Sequence, residues 1–199
     1  QFYCENRKPS FSSKYIKLLY VGRISPIKHI ETLIEAVGYL RRNHSIDDIA
    51  VYLVGDTAVE GDLVYRDQLQ KQIERLGVKD CIYFVGSVKF SELPKWYCSA
   101  DVSYNGSPKG ALDKSVLESM SCEVPVFVSN ESFRDIMGEY ADQLIFPQGD
   151  YVRLAEQILA FIKLAPEERQ VIGLKLREGV VSGHSLDRLA RILVEVFQC

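Results

Sequence analysis

Residues 15–43 read YIKLLYVGRISPIKHIETLIEAVGYLRRN, and the change of period inside this stretch decides the fold. Tyr15 to Val21 is a β-rich run that stops at Gly22. From about Ser25 to Asn43, Ile30, Leu33, Ile34, Val37 and Leu40 recur at helical spacing. A strand that passes directly into an amphipathic helix is the first half of a βαβ unit. The same alternation continues outward along the chain. Ile49 to Val54 is a second strand ending at Gly55-Asp56, followed by a helix from Val64 to Leu76 that Gly77 closes. Cys81 to Val85 is a third strand and again ends at glycine, Gly86. A short helix over Ser91 to Ser99 and a short strand over Asp101 to Tyr104 come next. The loop from Asn105 to Gly110 precedes a helix from about Asp113 to Cys122, and Pro125 to Ser129 is a buried strand. A short helix near Ser132 to Met137, a last strand at Leu144 to Phe146, and helices near Asp150 to Leu164, Pro166 to Val180 and Ser185 to Phe197 complete the pattern.

Strands alternating with helices imply right-handed crossovers and a parallel sheet covered on both faces. The expectation is an α/β, three-layer, Rossmann-like, doubly wound sheet of about six strands. Residues 1–13 (QFYCENRKPSFSS) lack periodicity and read as a linker or tail, leaving 14–199 as a single domain. In such sheets ligands bind at the carboxyl ends of the strands, near a topological switch point. The loops after Val21, Val54, Val85 and Tyr104 are therefore where chemistry is expected.

Composition narrows the possibilities. With 24 Lys+Arg against 27 Asp+Glu, the net charge of −3 argues against a nucleic-acid-coating surface. Hydrophobic residues make up 47% of the 199, ample for a core. No apolar run approaches the roughly 20 residues that span a bilayer, and no signal-peptide pattern opens the sequence, so a cytoplasmic location is expected. The five cysteines, at 4, 81, 98, 122 and 199, contain no C-x-x-C pair and are odd in number. They read as reduced thiols in or near the core, with neither a disulfide framework nor a zinc site.

Two loops carry cations where helices start. In Gly22-Arg23-Ile24-Ser25-Pro26-Ile27-Lys28, Ser25 reads as an N-cap and Pro26 as the first helical position. Lys28 then falls in the first turn, where the macrodipole disfavours a cation. An anion gripped by backbone N–H groups, Arg23 and Lys28 would account for this; a pairing of Lys28 with Glu31 is the plainer alternative. In Asn105 to Glu118 (NGSPKGALDKSVLE), Lys109 and Lys114 repeat the pattern, and Glu118 lies one turn beyond Lys114. A capping box with Ser115 or an i,i+4 pair with Lys114 would explain Glu118 structurally. No P-loop, G-x-G-x-x-G or G-x-S-x-G motif is present. No D-x-D pair offers a metal bridge to a diphosphate, so Arg, Lys and helix dipoles would have to neutralise one.

These residues carry a resemblance. Gly22-Arg23 with Lys28 resembles the G-R-x-x-x-x-K box of GT-B retaining glycosyltransferases of the group 1 or family 4 type. Residues 107–125 (SPKGALDKSVLESMSCEVP) are similar to that family's P-S-x-x-E-G-F-G-like loop, following helix and Gly-x-Pro-Val strand. Val54-Gly55-Asp56, Phe84-Val85-Gly86 and Ala100-Asp101-Val102 fall where the family places short boxes. The match runs from about Tyr15 to Phe197 and is to one half of a GT-B fold, the carboxyl-terminal, donor-binding half. The resemblance implies a nucleotide sugar as donor, transfer with retention, no cofactor and no metal. Arg23 and Lys28 would hold the diphosphate and stabilise the leaving group. Glu118 would accept from the ribose hydroxyls, Gly22 and the backbone around Gly86, Ser87 and Val88 would border the nucleotide, and Lys109, Gly110, Ala111, Leu112, Asp113 and Lys114 would form the sugar-side loop.

It also implies partners: an amino-terminal acceptor domain, a glycan or lipid-linked acceptor, and peripheral contact of the full enzyme with the inner membrane face. There is one departure. The family's E-x7-E pair places its first acid at position 110, which is Gly110 here, with Asp113 or Lys114 as substitutes. The competing expectation is a non-catalytic nucleotide-sugar-binding or scaffold subunit of the same fold.

Overall fold

The structure, a computed structural model of the chain, describes residues 2–4, 15–110 and 112–184. Five parallel strands form one sheet: β1 (Ile16–Val21), β2 (Ile49–Val54), β3 (Ile82–Gly86), β4 (Val102–Asn105) and β5 (Val126–Val128), in the order β3-β2-β1-β4-β5. Register runs Leu18 to Val51 and Leu19 to Tyr52 on one side of β1, and Leu18 to Val102 on the other. Successive side chains of β1 leave from opposite faces. Leu18 and Tyr20 join the large core with Val51 and Leu53, whereas Leu19 joins a second cluster with Val54, Tyr97 and Val124.

Of the eight α-helices of the described residues, the first four fill the crossovers between strands and the last four follow β5. In chain order the eight are α1 (Ile30–His44), α2 (Glu60–Leu76), α3 (Leu93–Ser99), α4 (Lys114–Ser121), α5 (Arg134–Met137), α6 (Ala141–Leu144), α7 (Tyr151–Lys163) and α8 (Pro166–His184). The apolar stripe of α1 is buried as its period requires: Ile30, Leu33, Ile34 and Leu40 are fully inside. Each such side chain contributes about 1.5–3 kcal/mol of transfer free energy. α1 packs on α7 and α2, and α4 packs on α8.

Four expectations are corrected. The sheet has five strands; where a sixth was expected, Ile145 makes a single parallel bridge to Val128, because α6 runs up to Leu144 and leaves no room for a ladder. The helix expected to start at Ser25 is split. Pro26–Lys28 is one 3-10 turn, His29 takes a left-handed conformation at φ 47°, and α1 begins only at Ile30. The expected tail is part of the domain at residues 2–4. Phe2 packs edge-on against Phe90 and Tyr97, and the guanidinium of Arg177 lies 4.6 Å from the ring centre of Tyr3. Finally, Cys4 and Cys98 form a disulfide across 94 residues, while Cys81 and Cys122 are buried and stand outside that bond. The helix expected over Ser185 to Phe197 lies outside the described residues. Among the described residues no helix is long and apolar enough to cross a membrane.

Candidate functional site

The chain begins in the middle of the sheet, moves outward to β3, and then crosses back to β4. The order of strands therefore reverses between β1 and β4, and their carboxyl ends bound the crevice where ligands bind in this architecture. The loop after β1 and the loop after β4 meet there. Tyr104 Oη donates to the His29 carbonyl at 2.6 Å, which pins the end of the first loop to β4. Gly106 makes the approach possible: a Cβ at this position would sit 2.7 Å from the Lys28 carbonyl oxygen and run into the Tyr104 hydroxyl.

Lys28 lies at the centre of this junction. Its Nζ donates to Asp113 Oδ2 at 2.5 Å and to Ser107 Oγ at 3.0 Å. Asp113 is the N-cap of α4, with Oδ1 accepting from the Ser115 amide at 3.1 Å and the Ser115 hydroxyl at 3.0 Å. Ser107 Oγ also donates to Asp113 Oδ2, and Asn105 Nδ2 donates to Ser115 Oγ. Burial pushes the Asp113 carboxyl up, but hydrogen bonds from Lys28 and Asn105, the Lys28 charge and the Ser115 amide outweigh it and hold the group well below the usual carboxylate range. Lys28 thus belongs to a 3-10 turn and not to the first turn of an α-helix, so its position is explained by Asp113 rather than by a tolerated clash with a helix dipole. The capping box expected of Ser115 and Glu118 is likewise replaced: Asp113 is the cap, and Ser115 donates to it.

Glu118 lies one turn further along α4. The Tyr97 hydroxyl donates to Glu118 Oε2 at 3.1 Å. Burial raises the Glu118 carboxyl above its ordinary range, the Tyr97 bond opposes this, and the charges of Asp113 and Lys114 pull in opposite directions.

Arg23 sits in an adjoining cleft of about 370 Å³ whose lining includes Gly22, Arg23, Gly55, Asp56, Ser87 and Val88. Its side chain is half-exposed, with Nε 3.9 Å from the buried carboxylate of Asp62 in the first turn of α2. Gly86, next to the cleft, accepts from the Gly55 amide at 2.9 Å. The cleft and the Lys28 network adjoin through Tyr20. Its hydroxyl donates to the Arg23 carbonyl at 2.6 Å. Burial raises the pKa of that hydroxyl well above normal, and the charges of Asp113 and Arg23 act on it with opposite sign.

The remaining expected residues scatter. Lys109 and Lys114 are exposed, and the charge of Lys109 acts on Glu131. Gly110 lies in open space at φ 159°, and its carbonyl accepts from Ser132 Oγ. Leu112 packs against the core, and Ala111 lies outside the described residues. Sequence reasoning missed Asp62, Tyr97 and Asn105. Asn105 stood in a loop already singled out, but a lone aromatic such as Tyr97 in a short helix reads only as core. A larger cavity of about 450 Å³ opens at the opposite, amino-terminal end of the strands, with Tyr15, Asp47 and Asp80 in its wall. Of the three acids in its lining, Asp47 and Asp80 are paired with Arg41, at 3.0 and 2.6 Å, and the cavity lies away from the switch point.

The chain is 32% identical over 111 residues to the D-inositol 3-phosphate glycosyltransferase 2 of Catenulispora acidiphila, covering 55% of this chain and 26% of that protein. It spans only about a quarter of the length of the curated relatives it matches. HepE of Anabaena, solved in complex with UDP and glucose, superposes with a TM-score of 0.82 at 18% identity, over 99% of this chain and 53% of HepE. The C-terminal domain of the group 1 glycosyl transferase LpcC of Francisella tularensis superposes with a TM-score of 0.74 at 20% identity, over 93% of this chain and 96% of that domain. At these identities the structural likeness speaks for the fold, a GT-B half. The family described as "Glycosyl transferases group 1" matches residues 4–177, nearly the whole described chain, and it is to this family that the chain belongs.

Proposed function

We propose that the chain is the donor-binding domain of a retaining, family 4 type, hexose-transferring glycosyltransferase, and that its ligand is a nucleoside diphosphate sugar. The observation that carries this reading is the Lys28–Ser107–Asp113 network at the switch point, adjoining the Arg23 cleft. Arg23 and Lys28 place two cations beside the carboxyl ends of β1 and β4, each with one carboxylate neighbour, Asp62 and Asp113. The acids hold the cations in place and offset their mutual repulsion. A diphosphate entering between them would draw both cations toward its oxygens, and the same charges would stabilise the nucleoside diphosphate as it leaves the sugar. Glu118, partly buried and held by Tyr97, is suited to accept hydrogen bonds from ribose hydroxyls. Ser87 and Val88 line the cleft where the base would lie.

The chain would act with an amino-terminal acceptor half, transferring sugar to a glycan or lipid-linked acceptor without a metal. The full enzyme would work in the cytoplasm, touching the inner membrane face peripherally. Isolated, the domain would bind donor and turn over little. Titration calorimetry with UDP, GDP and ADP tests this, UDP first because HepE binds it. One of the three should bind, and Lys28→Glu should weaken that binding by about 100-fold, the scale of a lost charge-assisted pair with phosphate. A folded chain that binds none of them would overturn the reading.

A second reading, a non-catalytic nucleotide-sugar-binding subunit, is favoured by Gly110. A Cβ there would touch nothing within 4 Å, and the nearby Asp113 carboxylate is already engaged by Lys28. Nothing at position 110 could therefore contact the transferred sugar as an acid would. Assaying sugar transfer after adding the amino-terminal half separates the two: robust turnover excludes the second reading.

A further inference from the structure

A disulfide needs two sulfurs, yet three converge in this fold. Cys4 comes from the amino-terminal segment, Cys98 from the last turn of α3, and Cys122 from the residue that ends α4. Their Sγ atoms all lie within 4.8 Å of one another. Cys4 and Cys98 are bonded to each other, and the third sulfur, fully buried, stands beside them. We propose that, once the Cys4–Cys98 bond is reduced, the three cysteines form a three-thiolate site for one divalent thiophilic cation of the Zn(II) class, which ties the same three segments together in place of the disulfide.

The donor set selects the ion. All three ligands are sulfur, and among the described residues no carboxylate or histidine joins the group, so hard cations such as magnesium or calcium are disfavoured. Thiolate–zinc bonds of about 2.3 Å place three sulfurs around one ion about 4 Å apart; on reduction the Cys4 and Cys98 sulfurs would part to that spacing, and Cys122 already lies within 4.8 Å of both. Charge narrows the choice further. Cys4 and Cys122 belong to a buried cluster with Leu19, Val54, Ala100 and Val124, against which Cys98 packs, and net charge is costly in such apolar surroundings. Three thiolates leave −2 around a monovalent ion but only −1 around a divalent one. One guanidinium stands close by: Arg177 lies over Tyr3 and donates to the Ser121 carbonyl, each residue adjacent in sequence to a ligand. Cys98 is only partly buried, so a water can complete a tetrahedron from that side.

The chemistry balances with a dithiol as reductant. The Cys4–Cys98 bond takes up two electrons and two protons, and the dithiol is oxidised to its cyclic disulfide. Zn(II) then displaces three protons from three thiols as three Zn–S bonds form.

The test uses the full chain, reduced anaerobically with dithiol and then freed of it. Zn(II) is titrated against a chromophoric chelator, and Cd(II) against its sulfur-to-metal charge-transfer absorbance. The expected result is one ion per chain, binding weakened at least tenfold by Cys122→Ala, and no change with Cys199→Ala. The Cd(II) absorbance should fall by about one third in the Cys122 variant, as one of three thiolates is lost. Should that variant not fold, Cys98→Ala at the partly exposed position gives the same readout. No uptake by the reduced chain, or equal affinity and absorbance with and without the substituted sulfur, overturns the proposal.

Discussion

At the scale of single residues, the two carboxylates of α4 are tuned in opposite directions from neighbouring turns. Asp113 is surrounded by donors and stays ionised far into acid, whereas Glu118 is raised, first by burial and then by the Asp113 charge. On acidification Glu118 therefore takes its proton first. Its folded pKa lies above that of the unfolded chain, so its ionised form costs stability at neutral pH, and this cost disappears as pH falls through the raised value toward the ordinary glutamate range near about 4.3. Asp113 has the opposite sign: the stability it contributes is present above the ordinary aspartate range and is lost only as pH drops to its depressed value. Glu118→Gln should therefore leave the fold as stable or slightly more stable at neutral pH, while weakening UDP binding about tenfold, the scale of one hydrogen bond to a charged group. It should also remove the loss of affinity expected of the native chain as pH is lowered and Glu118 takes up its proton. Calorimetry on both proteins between pH 5 and 8 checks this, and parallel pH profiles would place Glu118 outside the ligand's reach.

At the scale of elements, the site depends on how closely the ends of β1 and β2 approach. Gly55 takes φ 128°, and a Cβ there would run into the Gly22 carbonyl oxygen. The Gly22 amide meanwhile donates to the Val54 carbonyl at 3.0 Å, and Ile24 to Asp56 at 3.0 Å. Gly55→Ala combines an unfavourable backbone conformation with a backbone clash, neither of which a rotamer change relieves. It should cost about 3 kcal/mol or more in denaturant unfolding and abolish nucleotide binding by displacing Arg23. A variant that folds with native stability and affinity would mean that the two loops slide past one another freely. These loops also mark the border of what the residues alone could tell. The period switch at Gly22, the buried faces of β1, β2 and α1, and the placing of Arg23, Lys28 and Glu118 near strand ends were legible, because periodicity and strand-end glycines are local signals. The left-handed His29 was not, since its conformation depends on the Tyr104 bond to its carbonyl from 75 residues away. For the same reason Ser25-Pro26 looked like the start of a long helix, and the partnership of Lys28 with Asp113, across 85 residues, had no trace in spacing.

At the scale of the whole molecule, the Cys4–Cys98 bond ties the amino-terminal segment to α3. Cys4 lies beside Leu19, Val54 and Tyr97 on the sheet face that α3 covers, and the bond to Cys98 closes a loop of 94 residues in sequence separation. A loop of that length removes about 4–5 kcal/mol of conformational freedom from the unfolded chain in the chain-entropy treatment. The apolar contacts of Phe2 and Cys4 survive reduction, because they are made to Phe90, Tyr97 and the second cluster and not to the sulfur bond itself. The loss therefore falls on the unfolded state, and the folded domain keeps its shape. For a chain of about 200 residues, each kcal/mol corresponds to roughly 2–4 °C in melting temperature. Reduction by dithiol, or Cys4→Ser, should lower the melting midpoint by about 10 °C with the far-ultraviolet circular dichroism of the native state unchanged. Thiol titration before and after reduction identifies the bond that was broken. A reduced chain that melts within about 2 °C of the oxidised one would mean that the segment is docked by its side chains alone and that the cross-link adds nothing to the fold.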